Sequence, residues 1–208
     1  LFPYTTLFRS AKRGVYTDNE LKSMAADRKK KYFDLVDGKY AVKPEITMRT
    51  GDVEDVIANI PYEVHHRYQQ KCGGSEIVVY KELKELLVGS FREKKIRPEY
   101  LRASEEQRWA LLQGLMDSDG CIGERKAQSV YCTTIQDLAL TVRELLWSLG
   151  IKNAVKAEPS TRYGWPTGEI LYVIRFTTFD DQPTSRLVRK AVRQRLTLRD
   201  TRSNYHYL

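Results

Sequence analysis

The sequence has few cysteines and no long apolar run. Its three cysteines, Cys72, Cys121 and Cys132, form no CxxC pair, so neither a disulfide framework nor a zinc site is predicted. No stretch approaches the roughly 18 to 20 apolar residues that a membrane span needs, and the sequence shows no signal-peptide pattern. These absences favour a soluble, cytoplasmic protein that does not contact membranes.

Positive charge is the main excess in the composition. The 208 residues include 35 Lys and Arg against 27 Asp and Glu, a formal net charge of +8. Much of the excess lies in the last third of the chain, from Arg186 to Arg202. Basic charge attracts polyanions with salt-sensitive affinity, so nucleic acid is a candidate partner. Charge alone leaves this open, because many basic domains bind no nucleic acid.

The N-terminal end of the chain differs from an ordinary domain terminus. Residues 1–10, LFPYTTLFRS, resemble a translated sequencing adapter and are interpreted as an artefact. An ordinary apolar N-terminus is the alternative. We expect the natural chain to begin further upstream.

The pattern of apolar residues occurs twice along the chain. Each pass predicts a strand, a helix, two strands and a second helix. The first pass covers residues 45–48, 50–60, 62–68, 76–80 and 82–88. The second covers residues 129–133, 134–149, 151–157, 170–176 and 185–192, with a turn over 159–168. This repetition predicts a tandem duplication with pseudo-twofold symmetry.

The sequence also contains three tryptophans and an adjacent pair of histidines. Trp109 and Trp147 are predicted to be buried in the core, whereas Trp165 is predicted to lie in the long turn. His65 and His66 have no matched Cys or Asp nearby, so a metal-binding role is not expected for them.

Between the two passes lies the most informative segment, residues 104–123. Ser104 and Gln107 form a capping box, which predicts the start of a helix. A stripe of small residues follows one side of this helix and would let a second helix approach closely. The predicted helix interface consists of Ala110, Gly114 and Ser118.

Two acidic residues, Asp117 and Asp119, stand at the C-terminal end of this helix. Carboxylates there oppose the helix dipole, so each needs a partner. One candidate is a hard cation, which carboxylate oxygens favour; the other is a cap on the following turn. Both alternatives stay open, most evenly for Asp117. Gly120 is expected to supply the backbone conformation that ends the helix.

Residues 112–120, LQGLMDSDG, resemble the LAGLIDADG motif of homing endonucleases. They match both Leu positions, both Gly positions and both Asp positions, while Gln113 replaces a small residue. The order of elements after the motif is similar to the αββαββα half-domain of that family. The resemblance implies an α+β fold with two pseudo-symmetric αββαββα half-domains. These are residues 43–101, without the leading helix, and residues 102–194.

The resemblance also implies a chemistry. In this family two such helices pack together, and the last Asp of each motif reaches a divalent cation at a scissile phosphate. Asp119 is therefore the implied catalytic residue and ligand of Mg²⁺ or another divalent cation, with Asp117 and Gly120 beside the metal. Lys126 and Gln128 are expected to assist catalysis. The two sheets would lie in the major groove of double-stranded DNA. The candidate DNA contacts are Arg125, Arg162, Arg175, Arg186, Arg189, Lys190 and Arg193; the alternative for each is a solvated surface side chain.

The first motif, expected before residue 43, departs from the family pattern. Asp37-Gly38 is a degenerate match, and Lys29 to Lys31 just before it would hinder close helix packing. The preferred interpretation is therefore that the first helix was deleted, lost in assembly or replaced by splicing-domain sequence. With one acid missing, the chain is expected to cut DNA poorly or not at all. A second LAGLIDADG helix or protomer would then be a partner.

The flanking segments indicate an intein. Residues 11–42 are interpreted as a remnant of a splicing domain, and residues 195–208 as a basic tail leading toward a missing C-terminal splicing segment. The host protein that flanks the intein is then a further partner. No self-splicing is expected of this chain. The alternative function is a nucleic-acid-binding module with the LAGLIDADG fold and no nuclease activity.

Overall fold

The fold combines antiparallel sheets with helices. The computed structural model describes residues 15–19, 22–23, 25–26, 33–36, 38–42, 45–69, 74–79, 96–123, 128–162, 165–178 and 182–200. Within these ranges the strands are β1 (Val15–Tyr16), β2 (Phe33–Val36), β3 (Lys39–Val42), β4 (Glu45–Arg49), β5 (His66–Gln69), β6 (Ser75–Val79), β7 (Gly120–Ile122), β8 (Ser129–Thr133), β9 (Asn153–Arg162) and β10 (Trp165–Phe176). The α-helices are α1 (Val53–Ala58), α2 (Pro98–Leu101), α3 (Glu105–Ser118), α4 (Gln136–Ser148) and α5 (Val188–Asp200). None of these helices has both the length and the apolar composition of a membrane span.

The chain divides near residue 95 into an N-terminal and a C-terminal unit. The N-terminal unit contains two antiparallel sheets of three strands, with the orders β1-β3-β2 and β4-β6-β5. A 3₁₀ turn, Thr50–Asp52, leads from β4 into α1. The apolar positions of the predicted strand and helix are buried, as Ile46 and Val53 illustrate with no exposed surface. The first pass of the sequence pattern thus describes a real packed unit.

The C-terminal unit has the element order αββαββα from α3 to α5. Its sheet is antiparallel, with the order β7-β8-β10-β9. Helices α3 and α4 pack on one face of this sheet. Alternate residues of β8 and β10 point into that core with residues of both helices. Its most buried members include Tyr131, Ile174, Leu112, Leu115 and Leu145. The predicted α+β class and half-domain order are confirmed here.

The predicted repeat is visible in how the strands pair. In the sheet β4-β6-β5, both outer strands pair with β6, just as β8 and β9 both pair with β10. A helix follows the first strand in each case. One difference lies at the edge of the sheet: β7 extends the C-terminal sheet, whereas in the described N-terminal residues β3 pairs with β1 and β2 instead.

The long hairpin β9-β10 corrects the predicted turn over residues 159–168. The strands extend to Arg162 and resume at Trp165, with an irregular register between Pro166 and Ile170. Pro159 is tolerated because β9 is an edge strand, where a missing N–H costs no ladder hydrogen bond. The basic helix begins at Val188, three residues later than predicted, and the predicted helix over residues 82–88 lies outside the described residues.

Two tryptophan predictions were wrong and one was confirmed. Trp109 packs against the core. Trp147 is 57% exposed, because the buried stripe of α4 runs along another side of the helix. The guanidinium of Arg143 lies 4.7 Å from the centre of its ring, an arrangement typical of a cation–π contact. Trp165 is 78% exposed and lies on β10 rather than in a turn.

Candidate metal and nucleic-acid site

Asp119 lies where α3 ends and the sheet begins. The capping box at the helix start is present in both directions, between Ser104 and Gln107. At the other end Asp119 is the C-cap residue, and its backbone N–H donates to Leu115 O at 3.1 Å. Its side chain is half-buried. Burial raises the pKa of Tyr131 above its ordinary value, and the negative charge of Asp119 adds to this rise. The carboxylate therefore lies close to strand β8.

Gly120 is needed for close packing rather than for a special backbone angle. A Cβ at this position would lie 2.6 Å from the Cα of Met116 and equally close to its side chain. The left-handed glycines of the described chain are Gly38, Gly74, Gly150 and Gly168. The prediction that Gly120 ends the helix through its conformation was therefore wrong. Only a glycine at position 120 lets β7 begin so close to Met116 in the last turn of α3.

Asp117 is a buried cap on a distant segment. It is 5% exposed, and its Oδ1 accepts hydrogen bonds from Ser185 Oγ, from Arg186 N at 2.9 Å and from Leu187 N at 3.4 Å. These donors precede α5. Of the two alternatives that the sequence left open, the structure favours capping, although the capped segment is not the following turn.

Lys190 is placed differently from the exposed DNA contact that the sequence predicted. It is 6% exposed, and its Nζ donates to the carbonyl oxygens of Met116 at 2.6 Å, Asp117 at 3.1 Å and Gly120 at 2.7 Å. An ammonium group has three N–H donors, and these three carbonyls can occupy all of them. Lys190 is therefore left out of the proposed DNA-binding set. The Gly120 carbonyl, predicted beside the metal, is an acceptor for Lys190.

Gln113, the departure from the motif, also faces the segment before α5. Its amide donates to Pro183 O at 2.9 Å, and Arg186 Nε donates to its Oε1 at 2.9 Å. The longer polar side chain therefore has a partner within its own unit. Arg186, predicted to contact DNA, is half-buried and uses one of its donors here.

The sheet face opposite the core, which we call the open face, carries polar groups near Asp119. By strand alternation and pairing its members include Cys121, Val130, Cys132, Lys156, Glu158, Arg175 and the buried Val173. Lys156 Nζ lies 3.0 Å from Glu158 Oε2. A hydrogen bond from Lys156 chiefly lowers the pKa of Glu158, and Arg175 contributes to this lowering. Burial raises the pKa of Cys132, with a contribution from Asp119. Asp119 and Arg175 are thus both neighbours of the same strand surface.

A family model described as LAGLIDADG-like domain matches residues 106–191. Its limits coincide with the αββαββα unit from α3 into α5. Over these residues the chain is similar to the LAGLIDADG family. The LQGLMDSDG sequence, residues 112–120, lies within the matched range.

A curated relative and several solved structures are also similar to this chain. The replicative DNA helicase DnaB of Mycobacterium intracellulare is 36% identical over 105 residues, which are 50% of this chain and 18% of that protein. A structure of mesophilic variants of the homing endonuclease I-DmoI is 13% identical, with a TM-score of 0.48, over 96% of this chain and 94% of its own. I-DmoI with DNA and Mn is 13% identical, with a TM-score of 0.48, over 99% and 97%.

The small-residue stripe of the LAGLIDADG helix is largely shielded from solvent. Gly114 is buried, while Ala110 and Ser118 are half-buried. Ser118 Oγ donates to Leu115 O at 2.8 Å, so its hydroxyl is satisfied within its own helix. Pairing of this stripe with a second helix stays a prediction.

The remaining predicted site residues of the LAGLIDADG-like domain lie in different places. Gln128 is half-buried, and its carbonyl accepts from Gly123 N at 2.8 Å. Arg189 and Arg193 are exposed on α5. In the N-terminal unit His66, for which no metal-binding role was expected, has its ring centre 5.5 Å from that of Tyr68. Arg125, Lys126, Asp37 and the side chain of Arg162 lie outside the described residues.

Asp119 offers a hard divalent cation a single carboxylate, which is half-buried. Among the residues that the structure describes, no group of three or more His, Cys, Asp or Glu side chains could enclose a metal ion. Mg²⁺ typically uses one or two protein carboxylates and completes its shell with water and substrate phosphates. A half-buried Asp119 at the edge of the open face suits that mode of binding.

Sequence reasoning missed Lys190 and Ser185 as partners of the helix end. A signal was present: Leu187, Lys190 and Gln194 have the spacing of one helix face, and all three are buried. Polar residues at inward positions of a helix indicate buried hydrogen bonds. The Lys156 side chain on the open face carried no comparable signal.

Proposed function

We propose that this chain is a site-specific, metal-dependent endonuclease for double-stranded DNA, encoded by an intein and impaired in cleavage. The observation that carries the proposal is the position of Asp119. It lies at the end of a LAGLIDADG helix, beside a sheet face that bears Arg175 and Lys156. A duplex against this face would bring a phosphate within reach of a carboxylate and of basic side chains. In the cell we expect this activity in the cytoplasm.

The chemistry follows from what each group supplies. Bound Mg²⁺ would stabilise the charge that builds on the phosphate and activate a water molecule. Asp119 would bind the ion. Asp117 would anchor the end of α3 through its hydrogen bonds to the segment before α5. Lys126 and Gln128 remain the proposed catalytic assistants. Impairment is proposed because the sequence contains one recognisable motif, so the second acid of the family is missing.

DNA binding is proposed to use basic residues on two elements. Arg175 and Lys156 on the open face would reach base edges or phosphates, and the exposed Arg189 and Arg193 of α5 would contact phosphates. Arg186 donates to Gln113 through Nε, and its two terminal NH₂ groups are proposed to make such a contact. Arg125 and Arg162 stay in the proposed set. A second LAGLIDADG helix or protomer is the proposed partner of the small-residue stripe.

The intein origin is supported by the curated relative. That protein is a replicative DNA helicase, and an embedded LAGLIDADG domain would explain a match that covers 18% of its length. The proposed host protein is thus of that kind. The intein and splicing-remnant boundaries at residues 42 and 195 remain proposals.

The test of this function is cleavage of a helicase coding sequence that lacks the insertion. We expect slow, Mg²⁺-dependent nicking at one position, abolished by EDTA and absent on the same DNA carrying the insertion. Binding should weaken steeply with salt, by about one power of salt concentration for each phosphate contact. Salt-dependent binding without any strand scission would support the alternative, a DNA-binding module without nuclease activity, which the single motif favours.

Thiol footprinting would locate the DNA on the protein. Cys121 is exposed on the open face, two residues from Asp119. We expect bound duplex to slow its reaction with a maleimide several-fold at low salt, because DNA covers this face. Peptide-resolved mass spectrometry would follow each thiol. A cysteine introduced as Glu144→Cys, exposed on α4 at the opposite face, should react equally with and without DNA. Protection of that thiol but not of Cys121 would refute the proposed orientation.

A further inference from the structure

We propose that Lys190 is a positioning residue that holds the last turn of α3 and thereby presents the Asp119 carboxylate at the edge of the open face. The consequence for cleavage rests on the proposed function; the effect on the helix end does not. Lys190 is separated from this turn by about seventy residues of sequence, 70 to 74 for its three hydrogen bonds.

The contacts of Lys190 surround Asp119 on both sides. Its Nζ lies 2.6 Å from Met116 O and 3.1 Å from Asp117 O, which precede Asp119, and 2.7 Å from Gly120 O, which follows it. Helix ends leave carbonyls without intrahelical partners. Here one buried ammonium bonds two of those carbonyls, Met116 O and Asp117 O, and also Gly120 O at the start of β7, and so fixes the backbone on either side of the candidate metal ligand.

The positive charge of Lys190 also offsets the negative charge that accumulates at this helix end. The C-terminal end of a helix is negative, and Asp117 and Asp119 add two carboxylates there. A cation placed on the terminal carbonyls offsets that charge directly. The Asp119 carboxylate can therefore remain at the helix end before any metal or DNA arrives.

The position of Lys190 is itself fixed by the segment before α5. Asp117 accepts hydrogen bonds from Ser185 and from the backbone that follows. Thr184 donates through its backbone N–H and its hydroxyl to Gln194 Oε1, at 3.0 and 2.9 Å. The Thr184 hydroxyl also lies 2.9 Å from Ser129 Oγ on β8. Lys190 is thus held in position by a segment that is itself fixed by hydrogen bonds.

Hydrogen exchange tests the proposal without DNA or metal. The Asp119 amide bonds Leu115 O at 3.1 Å, and the Leu149 amide bonds Leu145 O at 3.2 Å in the corresponding place on α4. In Lys190→Met we expect exchange at Asp119 to accelerate at least tenfold while Leu149 changes little. No acceleration at Asp119, or an equal acceleration at Leu149, would overturn the proposal.

If Lys190→Met does not fold, Lys190→Arg replaces it in the same measurement. Arg keeps the positive charge, but its planar guanidinium cannot match three carbonyls arranged around one point. We expect a smaller acceleration, several-fold, confined to Asp119. Wild-type exchange at Asp119 in this variant would overturn the proposal.

Cleavage and DNA-binding assays then distinguish a positioning role of Lys190 from a direct contact between Lys190 and DNA. In Lys190→Met the Mg²⁺ concentration for half-maximal cleavage should rise at least fivefold, while the salt dependence of DNA binding stays at the wild-type slope. In Arg189→Met, whose side chain is exposed on the same helix, the salt slope should fall by about one and the Mg²⁺ requirement should not change. The reverse pattern would overturn the proposal.

If Asp119→Asn cleaves as fast as wild type, the nuclease assignment fails, and hydrogen exchange still decides the role of Lys190.

Discussion

Replacing Asp119 by Asn is expected to slow Mg²⁺-dependent cleavage by roughly 10²–10³-fold, a loss comparable to removing one preorganised group that stabilises a charged transition state. The amide has nearly the same size as the carboxylate but lacks the negative charge that binds a hard cation. The Asp119 backbone N–H caps α3 and is kept in this variant, so we expect the variant to fold normally. Single-turnover rates at saturating DNA measure the effect, and DNA affinity, measured separately, should not weaken.

The matched control is Glu144→Gln, which removes a carboxylate from the exposed side of α4. This change should leave the cleavage rate at its wild-type value. Equal rates for wild type and Asp119→Asn would remove Asp119 from the mechanism, and the domain would then be better described as a DNA-binding module. A loss of cleavage accompanied by lost folding in Asp119→Asn would point instead to a structural role for the carboxylate.

Gly120→Ala is expected to destabilise the C-terminal unit by about 1–3 kcal/mol, the usual cost of forcing an extra carbon into a packed site. The new Cβ would meet the Cα of Met116 at 2.6 Å, and a backbone atom cannot move aside as a flexible side chain could. The Gly120 carbonyl that accepts from Lys190 would shift with it. Thermal unfolding should show a midpoint lower by about 2–4 °C for each kcal/mol.

Gly123→Ala, three residues further along, provides the comparison. A Cβ there would lie 3.4 Å from Gln128 O, close to ordinary contact, so the change in stability should stay below about 1 kcal/mol. A similar destabilisation in both variants would mean that β7 tolerates no alanine anywhere, and the close approach of Gly120 to α3 would lose its special importance.

Much of the C-terminal unit could be predicted because its signals are local. The capping box of α3 depends on residues three apart, and β8 was predicted with its observed ends, residues 129–133. Alternation and helical spacing report which side of an element is apolar. These patterns do not predict the length of an edge hairpin. Pro159 and Gly168 are typical turn residues, yet they lie within β9 and β10.

The exposure of Trp147 was mispredicted for a related reason. Tryptophan is usually buried, but the core side of α4 is already occupied by Val142 and Leu145. Composition favours burial of an aromatic ring without saying whether a place exists for it. Arg143 covers the ring instead.

By itself the sequence determined the helix that carries the motif, its two terminal acids and the order of helices and strands along the half-domain, because each follows from residues close together along the chain. Only the tertiary structure decided how the two acids differ. Asp117 meets Ser185, 68 residues away, while Asp119 remains at the sheet edge. Likewise Lys190 reads as one more surface cation until folding buries its ammonium on the carbonyls at the end of α3. The physical reason is that a side chain's role depends on which groups surround it, and contacts between distant segments are set by packing.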